Sequence, residues 1–246
     1  MSRNELYRRL IDRFIEDETS RTNGPRAAEV YVQLHTARFG KMLAICSEYV
    51  PGRKSRVLDV GRSGLTALLA SYYENVTSIG YDLSADEGGH REQSPLPGVP
   101  HIVFDLNESV NCESWPEYSN EFDLIAVCET VEHLPTAPEF TLLMLSSFLR
   151  PGGTMLVTVP NAVALSKRIK ILLGRNPFER IRFFLQNPGH FREYTRRELV
   201  EIGQSVGLET AKSYTTSLSP PGKRIIRNLI PSMREGVVVI FRKPGA

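Results

Sequence analysis

The chain has little of what marks several protein classes. Its three cysteines, Cys46, Cys112 and Cys128, stand far apart with no Cys-x-x-Cys pair. That excludes a zinc knuckle and a disulfide framework and leaves reduced thiols as the simplest reading. There is no histidine-rich cluster and no compact acidic constellation, so no metal site is expected. No apolar run approaches the roughly 20 residues that span a bilayer. The opening MSRNELYRRLIDRF is charged where a secretory signal would be apolar. Net charge is only +2, so nothing global points to nucleic acid. The expectation is a cytoplasmic protein, soluble or at most lying on a membrane surface.

What is present suits an α/β fold. The length of 246 residues allows one α/β domain with additions and a sizeable core. Leu6, Tyr7, Leu10, Ile11, Phe14 and Ile15 fall on one helical stripe, and a second helix is expected over about 27–49. Residues 1–50 therefore read as a helical extension, with the main domain over 51–246. In that domain short apolar strands (RVLDV, VTSIGYDL, HIVFDL, FDLIAVC, TMLVTVP) alternate with helical segments. Capping boxes at Thr136-x-x-Glu139 and Thr195-x-x-Glu198 open two helices, the first stopping at Arg150-Pro151-Gly152-Gly153. LETAKSYTT and GVVVIFRK close the chain as a hairpin-like pair, one strand antiparallel. The alternation implies a parallel sheet with helices on both faces.

In such a sheet, ligands bind at the carboxyl ends of the strands. Here those ends carry Asp59-Val60-Gly61, Asp82, Asp105, Cys128-Glu129 and Pro160-Asn161. Gly61 lets a ligand approach the backbone closely, because it has no Cβ. Asp82 lies about 20 residues further on, where a carboxylate can accept from both hydroxyls of a ribose. Asp105 either accepts from an adenine amino group or caps a loop. The third glycine of GxGxxG is missing, as is a Tyr-x-x-x-Lys pair, which argues against NAD. The absence of GxxxxGK(S/T) argues against ATP.

VLDVGRSG, the acid in IGYD, the Asp of VFDLNE, FDLIAVCETVEHL and LRPGGTMLVTVPN occur in that order. Together, over about residues 55–162, they resemble class I S-adenosylmethionine-dependent methyltransferases. EHL, the Pro-Gly-Gly turn and the Pro-Asn strand end are similar to the subgroup of ubiquinone-type and glycan-modifying enzymes. The resemblance implies a Rossmann-like seven-stranded sheet of order 3-2-1-4-5-7-6 with strand 7 antiparallel. It implies S-adenosylmethionine as cofactor, with S-adenosylhomocysteine as product. The cofactor would lie across Asp59, Gly61, Arg62, Ser63 and Gly64, with Asp82 and Leu83 at the ribose. Asp105 and Leu106 would hold the adenine, and Cys128 and Glu129 the methionine side. The family commonly has Gly-x-Gly-x-Gly, whereas Ser63 and Leu65 stand at the second and third glycine positions here. Gly64 is the candidate for the positive-φ position, and Leu65 is expected to pack beneath its helix. Arg62 either grips the cofactor carboxylate or is solvated.

A hydroxyl acceptor needs a base, because a neutral alcohol is a poor nucleophile. His190, before Phe191-Arg192-Glu193-Tyr194, is the first choice. His133, in ETVEHL, is the second, with a packing role as its alternative. A His-x-Arg-x-(Tyr/Phe)-Thr segment recurs at the His190 position in the resembling subgroup. Residues 162–194 read as an insertion over the acceptor site. Basic and apolar side chains interleave there, which suits an anionic or lipid-linked acceptor. PPGKRIIRNLIPSMR (220–234) is a second basic, apolar segment that either touches an anionic membrane or packs on the sheet edge. The reading is O-methylation of a small molecule, a glycan or a lipid-linked glycan. The alternative is a non-catalytic binding or scaffold protein, supported by the altered glycine turn. The amino-methylation signature (D/N/S)PP(Y/F/W) is absent after FDLIAVC, and no nucleic-acid partner is expected.

Overall fold

The computed structural model describes residues 25–82, 96–181, 189–217 and 230–245, with side chains from residue 37 onward. The helix read over 5–16, Leu83 and most of the 220–234 segment lie outside the described residues.

Helix α1 (Pro25–Tyr49) leads into strand β1 (Arg56–Val60), helix α2 (Gly64–Tyr72) and strand β2 (Asn75–Gly80). Strand β3 (His101–Val103) is followed by two 3-10 turns and then β4 (Phe122–Cys128). A short 3-10 turn, Val131–His133, precedes α3 (Pro138–Phe148) and the long β5 (Leu149–Pro160). Helices α4 (Leu165–Leu172) and α5 (Arg196–Ser205) precede β6 (Glu209–Thr216) and β7 (Gly236–Arg242). The seven strands form one sheet in the order β3-β2-β1-β4-β5-β7-β6. β1 to β5 pair in parallel, and β7 runs antiparallel to both β5 and β6.

The two faces follow from the alternation of side chains along each strand. Val57, Leu124, Ala126, Leu156, Val238 and Ile240 face one way, onto Phe39, Met42 and Leu43 of α1 and Leu65, Leu68 and Leu69 of α2. Leu58, Val60, Ile125, Val127, Val157 and Phe241 face the other way, onto Leu142 and Leu145 of α3 and Leu199 of α5. Both faces are covered, so the central strands read as unbroken apolar runs. The second half of α1 is thus part of the same core as the sheet.

Three sequence expectations change. The capping box at Thr136 does not form: α3 starts at Pro138 with Ala137 as an N-cap that makes no side-chain bond. Proline at the first helical position presets φ and needs no capped N–H, so it defines the start. The turn expected at Arg150–Gly153 lies inside β5. The chain end holds it there, with Gly152 N–H donating to the Lys243 carbonyl (2.9 Å) and Lys243 N–H to the Gly153 carbonyl (3.0 Å). The third strand is shorter than HIVFDL, because Asp105 leaves it to cap a 3-10 turn at Leu106–Val110. The box at Thr195 forms as expected: Thr195 accepts from Glu198 N–H, and Glu198 accepts from Thr195 N–H at 2.8 Å. No helix among the described residues is long and apolar enough to cross a membrane.

Candidate active site at the carboxyl edge of the sheet

The turn after β1 is built on Gly61. Its φ is +79°, and its N–H donates to the Ile79 carbonyl at 2.8 Å, tying the end of β1 to β2. Among the described residues a Cβ on Gly61 would meet only Thr130 Oγ1, at 3.7 Å, so a ligand can approach this backbone. Gly64 does not supply the left-handed residue. It is the first residue of α2, and Ser63 is the N-cap, in a capping box with Thr66. Leu65 is buried beneath the helix as expected. The two non-glycine positions of the turn therefore cap and anchor the helix.

Asp59 does not point into the ligand edge. It is buried under α2, where it accepts a 2.6 Å bond from the Thr66 hydroxyl. Burial pushes its carboxyl up to about 7, against the opposing pull of the Thr66 bond and the Arg62 charge. The solvated reading of Arg62 is overturned: the residue is only 5% exposed. One of its amino groups donates to Ser78 Oγ at 3.4 Å. Ser78 Oγ bonds His101 Nδ1 (2.8 Å), and His101 Nε2 meets the Tyr81 carbonyl (2.7 Å). A carbonyl only accepts, so Nε2 carries the ring proton. His101 thus orders the end of β2 just before Asp82.

Asp82 is exposed at that strand end. Asp105 accepts through Oδ1 from the backbone and side-chain N–H groups of Asn107, both at 2.9 Å. Its loop-capping role is therefore realised, and Leu106 beside it is buried in the core. Burial raises the Cys128 and Cys46 thiols well above their ordinary range, so both are weak nucleophiles.

Past β4 the backbone departs from regular geometry. Glu129 has φ +55°, a strained region for a residue with a side chain. Its carboxylate accepts from Thr158 Oγ1 (3.0 Å) and faces Arg38 of α1 (3.5 Å). Burial raises its pKa, with Arg38 and Thr158 opposing. The 3-10 turn then carries Glu132 and His133. Glu132 is fully buried, and neither carboxylate oxygen has a hydrogen-bond partner among the described residues. Burial, and then repulsion from Glu129, raises its pKa well above the usual carboxylate range.

The loop bearing His190 is fastened by backbone bonds to this turn and to the chain just after β5. Phe191 N–H donates to the Glu132 carbonyl (2.8 Å), and Ala162 N–H to the Tyr194 carbonyl (3.1 Å). The two histidines chosen from sequence therefore meet, with ring centroids 4.7 Å apart and planes at 77°. His133 Nδ1 lies 3.2 Å from the Gly189 carbonyl, and His190 Nδ1 lies 3.2 Å from Glu193 Oε1. Glu193 is itself held by an ion pair to Lys167 of α4. Lys167 also donates to the Asn161 carbonyl at the end of β5 (3.0 Å). Burial and the neighbouring Lys170 push its ammonium down to about 8.

Sequence reasoning missed Glu132, Glu193 and the fixing role of Lys167. It also missed that Glu132, His133 and His190 offer ligand atoms all within 4.8 Å of one another. The signal in the sequence was Glu129-x-x-Glu132-His133, two acids and a histidine directly after an apolar strand.

A seven-stranded sheet of this order, with a left-handed glycine after β1 and acids at the next strand ends, defines a class I S-adenosylmethionine-dependent methyltransferase. A family model described as a methyltransferase domain matches residues 3–213, and the chain belongs to that family. The curated ubiquinone biosynthesis O-methyltransferase of Aromatoleum aromaticum is 27% identical over 175 residues, 67% of this chain and 68% of the relative. The 1,6-didemethyltoxoflavin-N1-methyltransferase of Burkholderia thailandensis, solved with bound 1,6-didemethyltoxoflavin and S-adenosylhomocysteine, superimposes with a TM-score of 0.55. It is 18% identical, over 99% of this chain and 91% of that one. The N-methyltransferase NodS of Bradyrhizobium japonicum, solved with S-adenosylhomocysteine, gives a TM-score of 0.51 at 15% identity, over 97% and 98% of the chains. At such identities the likeness of the two solved structures is one of fold.

Proposed function

We propose that this chain is an S-adenosylmethionine-dependent O-methyltransferase acting on a hydroxyl of a small molecule or lipid-linked glycan with an anionic or apolar part. The observation that carries the reading is the His133–His190 pair with Glu132, set at the ligand edge of the sheet. Bound S-adenosylmethionine supplies a methyl group already activated on a sulfonium. The protein's share is alignment, exclusion of water and help for a hydroxyl nucleophile. An amine needs no such help once it is unprotonated, so a buried acid and two oriented imidazoles fit an oxygen acceptor better.

The left-handed Gly61 and the exposed Asp82 suit the methionine and ribose parts of the cofactor. Asp59, Ser63 and Gly64 support the turn from below. His133 gives its Nδ1 proton to a carbonyl, which puts the ring's lone pair on Nε2. His190 does the same toward Glu193. Over this edge lies α4 and the chain after it, where Ile169, Ile171, Leu172, Leu173, Phe178 and Ile181 are exposed. Arg168, Lys170, Arg175 and Arg180 interleave with them. That surface suits an acceptor with a phosphate or carboxylate and a greasy tail. The curated O-methyltransferase relative supports an oxygen acceptor.

The test has two stages. Calorimetry with S-adenosylhomocysteine is expected to give a clear isotherm with the wild type and none with Asp82→Ala. Transfer of labelled methyl is then followed to paired hydroxyl and amine versions of phenolic and lipid-phosphate acceptors. Methylation of the amine members alone would refute the oxygen reading.

A further inference from the structure

We propose that the cleft between α5, β6 and the 231–234 turn binds a sugar phosphate, gripping it by the phosphate group. The site is separate from the cofactor turn, and it stands whether or not its ligand is the methyl acceptor.

The cleft has a volume of about 490 Å³, within the range of roughly 300–1,000 Å³ that small-molecule sites span. It reaches from the residues just after β5 to the end of β6. In the sheet order β6 stands four strands from β1, about 19 Å away at about 4.8 Å per strand. Neither Gly61 nor Asp82 lines it.

Its walls are cationic. Arg196, Arg197 and Arg234 line it, and among the described residues no aspartate or glutamate does. Arg196 uses one amino group on Ser213 Oγ (2.8 Å), and Arg234 uses one on the Thr215 carbonyl (3.2 Å). Each bond steadies a planar fork with several donors, so most of each fork is left for a ligand. Arg197 is paired with Glu201 (2.7 Å) on the exposed side of α5 and counts for less. Two forks arriving from different elements match a phosphate, whose oxygens accept on several sides, better than a flat carboxylate. The start of α5 adds backbone N–H groups that no helix carbonyl can reach, and the positive end of its dipole.

The cleft is also held rigid. Asn161, only 1% exposed, donates its side-chain amide to the Ser232 and Arg234 carbonyls (3.0 and 2.7 Å). Thr215 Oγ1 donates to the Pro231 carbonyl. These bonds clamp the 231–234 turn, and Arg234 with it, onto the ends of β5 and β6. A wall already in place lowers the cost of ordering on binding. Arg168 of α4 reaches the same turn through Ser232 Oγ (3.4 Å) and brings a further cation to the rim. Val163 and Tyr214 supply apolar wall, and the Ser213 and Ser232 hydroxyls stand beside it. That mixture suits a hydroxylated ring next to the phosphate.

The experiment adds the full chain to glucose 1-phosphate and follows the phosphorus resonance, with inorganic phosphate in parallel. Saturable broadening with one molecule per chain is expected for glucose 1-phosphate, and weaker binding for phosphate. Arg196→Ala and Arg234→Ala are each expected to weaken binding by about tenfold or more, with the circular dichroism unchanged. Arg196→Lys, which keeps the charge without the fork and disturbs the helix least, is expected to recover only part of it. Arg197→Ala is expected to cost about twofold or less. Excess S-adenosylhomocysteine is expected to leave binding unchanged. Wild type without saturable binding overturns the site, and so does equal binding by wild type, Arg196→Ala and Arg234→Ala. Displacement by S-adenosylhomocysteine overturns its separation from the cofactor turn. Inorganic phosphate binding as tightly as glucose 1-phosphate overturns the place given to the sugar ring. None of these readouts needs methyl transfer, so the site stands or falls apart from the O-methylation reading.

Discussion

Asp59 offers the sharpest test of the electrostatics beneath the glycine turn. Its ordinary value is 3.8, and burial takes it to about 7 in the folded chain. Between those values the folded protein holds a proton that the unfolded chain has released. Folding stability therefore falls as pH rises from about 4 to about 7. The gap is about three pH units, and each is worth about 1.4 kcal/mol, so the loss is bounded near 4 kcal/mol. Asp59→Asn cannot ionise, and its carbonyl oxygen can still accept from Thr66. Its amide N–H groups must find partners in a buried site, at a cost of about 1–3 kcal/mol. The variant is thus expected to be less stable than wild type near pH 4.5 and more stable by about 1–3 kcal/mol near pH 8, so the two profiles cross. Urea unfolding across this range, read from Trp115 fluorescence, measures both. Trp115 is the only tryptophan, and its Nε1 is bonded to the Ser109 carbonyl (2.9 Å). Other titrating groups contribute equally to both proteins and cancel in the difference. Parallel profiles would refute the argument, because they would mean Asp59 is ionised in the fold throughout.

Two further substitutions test packing and capping. Gly203→Ala places a Cβ 2.2 Å from Cζ of the fully buried Phe241. Helix propensity favours alanine by about 1 kcal/mol, but forced repacking costs about 1–3 kcal/mol or more. A lowered Tm is expected, and an unchanged or higher one would show that α5 can lift from β7. Thr195→Ala removes the side-chain half of a formed capping box and should cost about 1 kcal/mol. Thr136→Ala, at the box that does not form, should cost less; a reversed ranking in thermal denaturation would contradict the assignment of helix starts.

Much of the architecture was legible because it rests on local pattern. Apolar runs bounded by turns marked the buried strands, and alternation with helical segments implied a sheet covered on both sides. The strand order came with the family resemblance, and the observed sheet matches it. Boundaries were lost where a distant segment intervened. The Arg150–Gly153 turn became strand because the Lys243 backbone pairs with it. Asp105 left the third strand because its side chain found Asn107.

The candidate site divides along the same line. From the sequence alone came the acids at the strand ends, the glycine after β1 and His133 just past the fourth strand. These depend on residue type at fixed offsets from a strand, which one-dimensional spacing preserves, whereas His190 came with the segment that recurs at its place in the resembling subgroup. Only the tertiary structure decided that Arg62 and Asp59 turn inward, that Gly61 rather than Gly64 takes the left-handed conformation, and that Glu132 is buried beside two oriented imidazoles. Burial and partnership are set by what packs across from a residue. For Glu132 and His190 that partner lies more than fifty positions away, brought in by backbone bonds that leave no mark on the sequence.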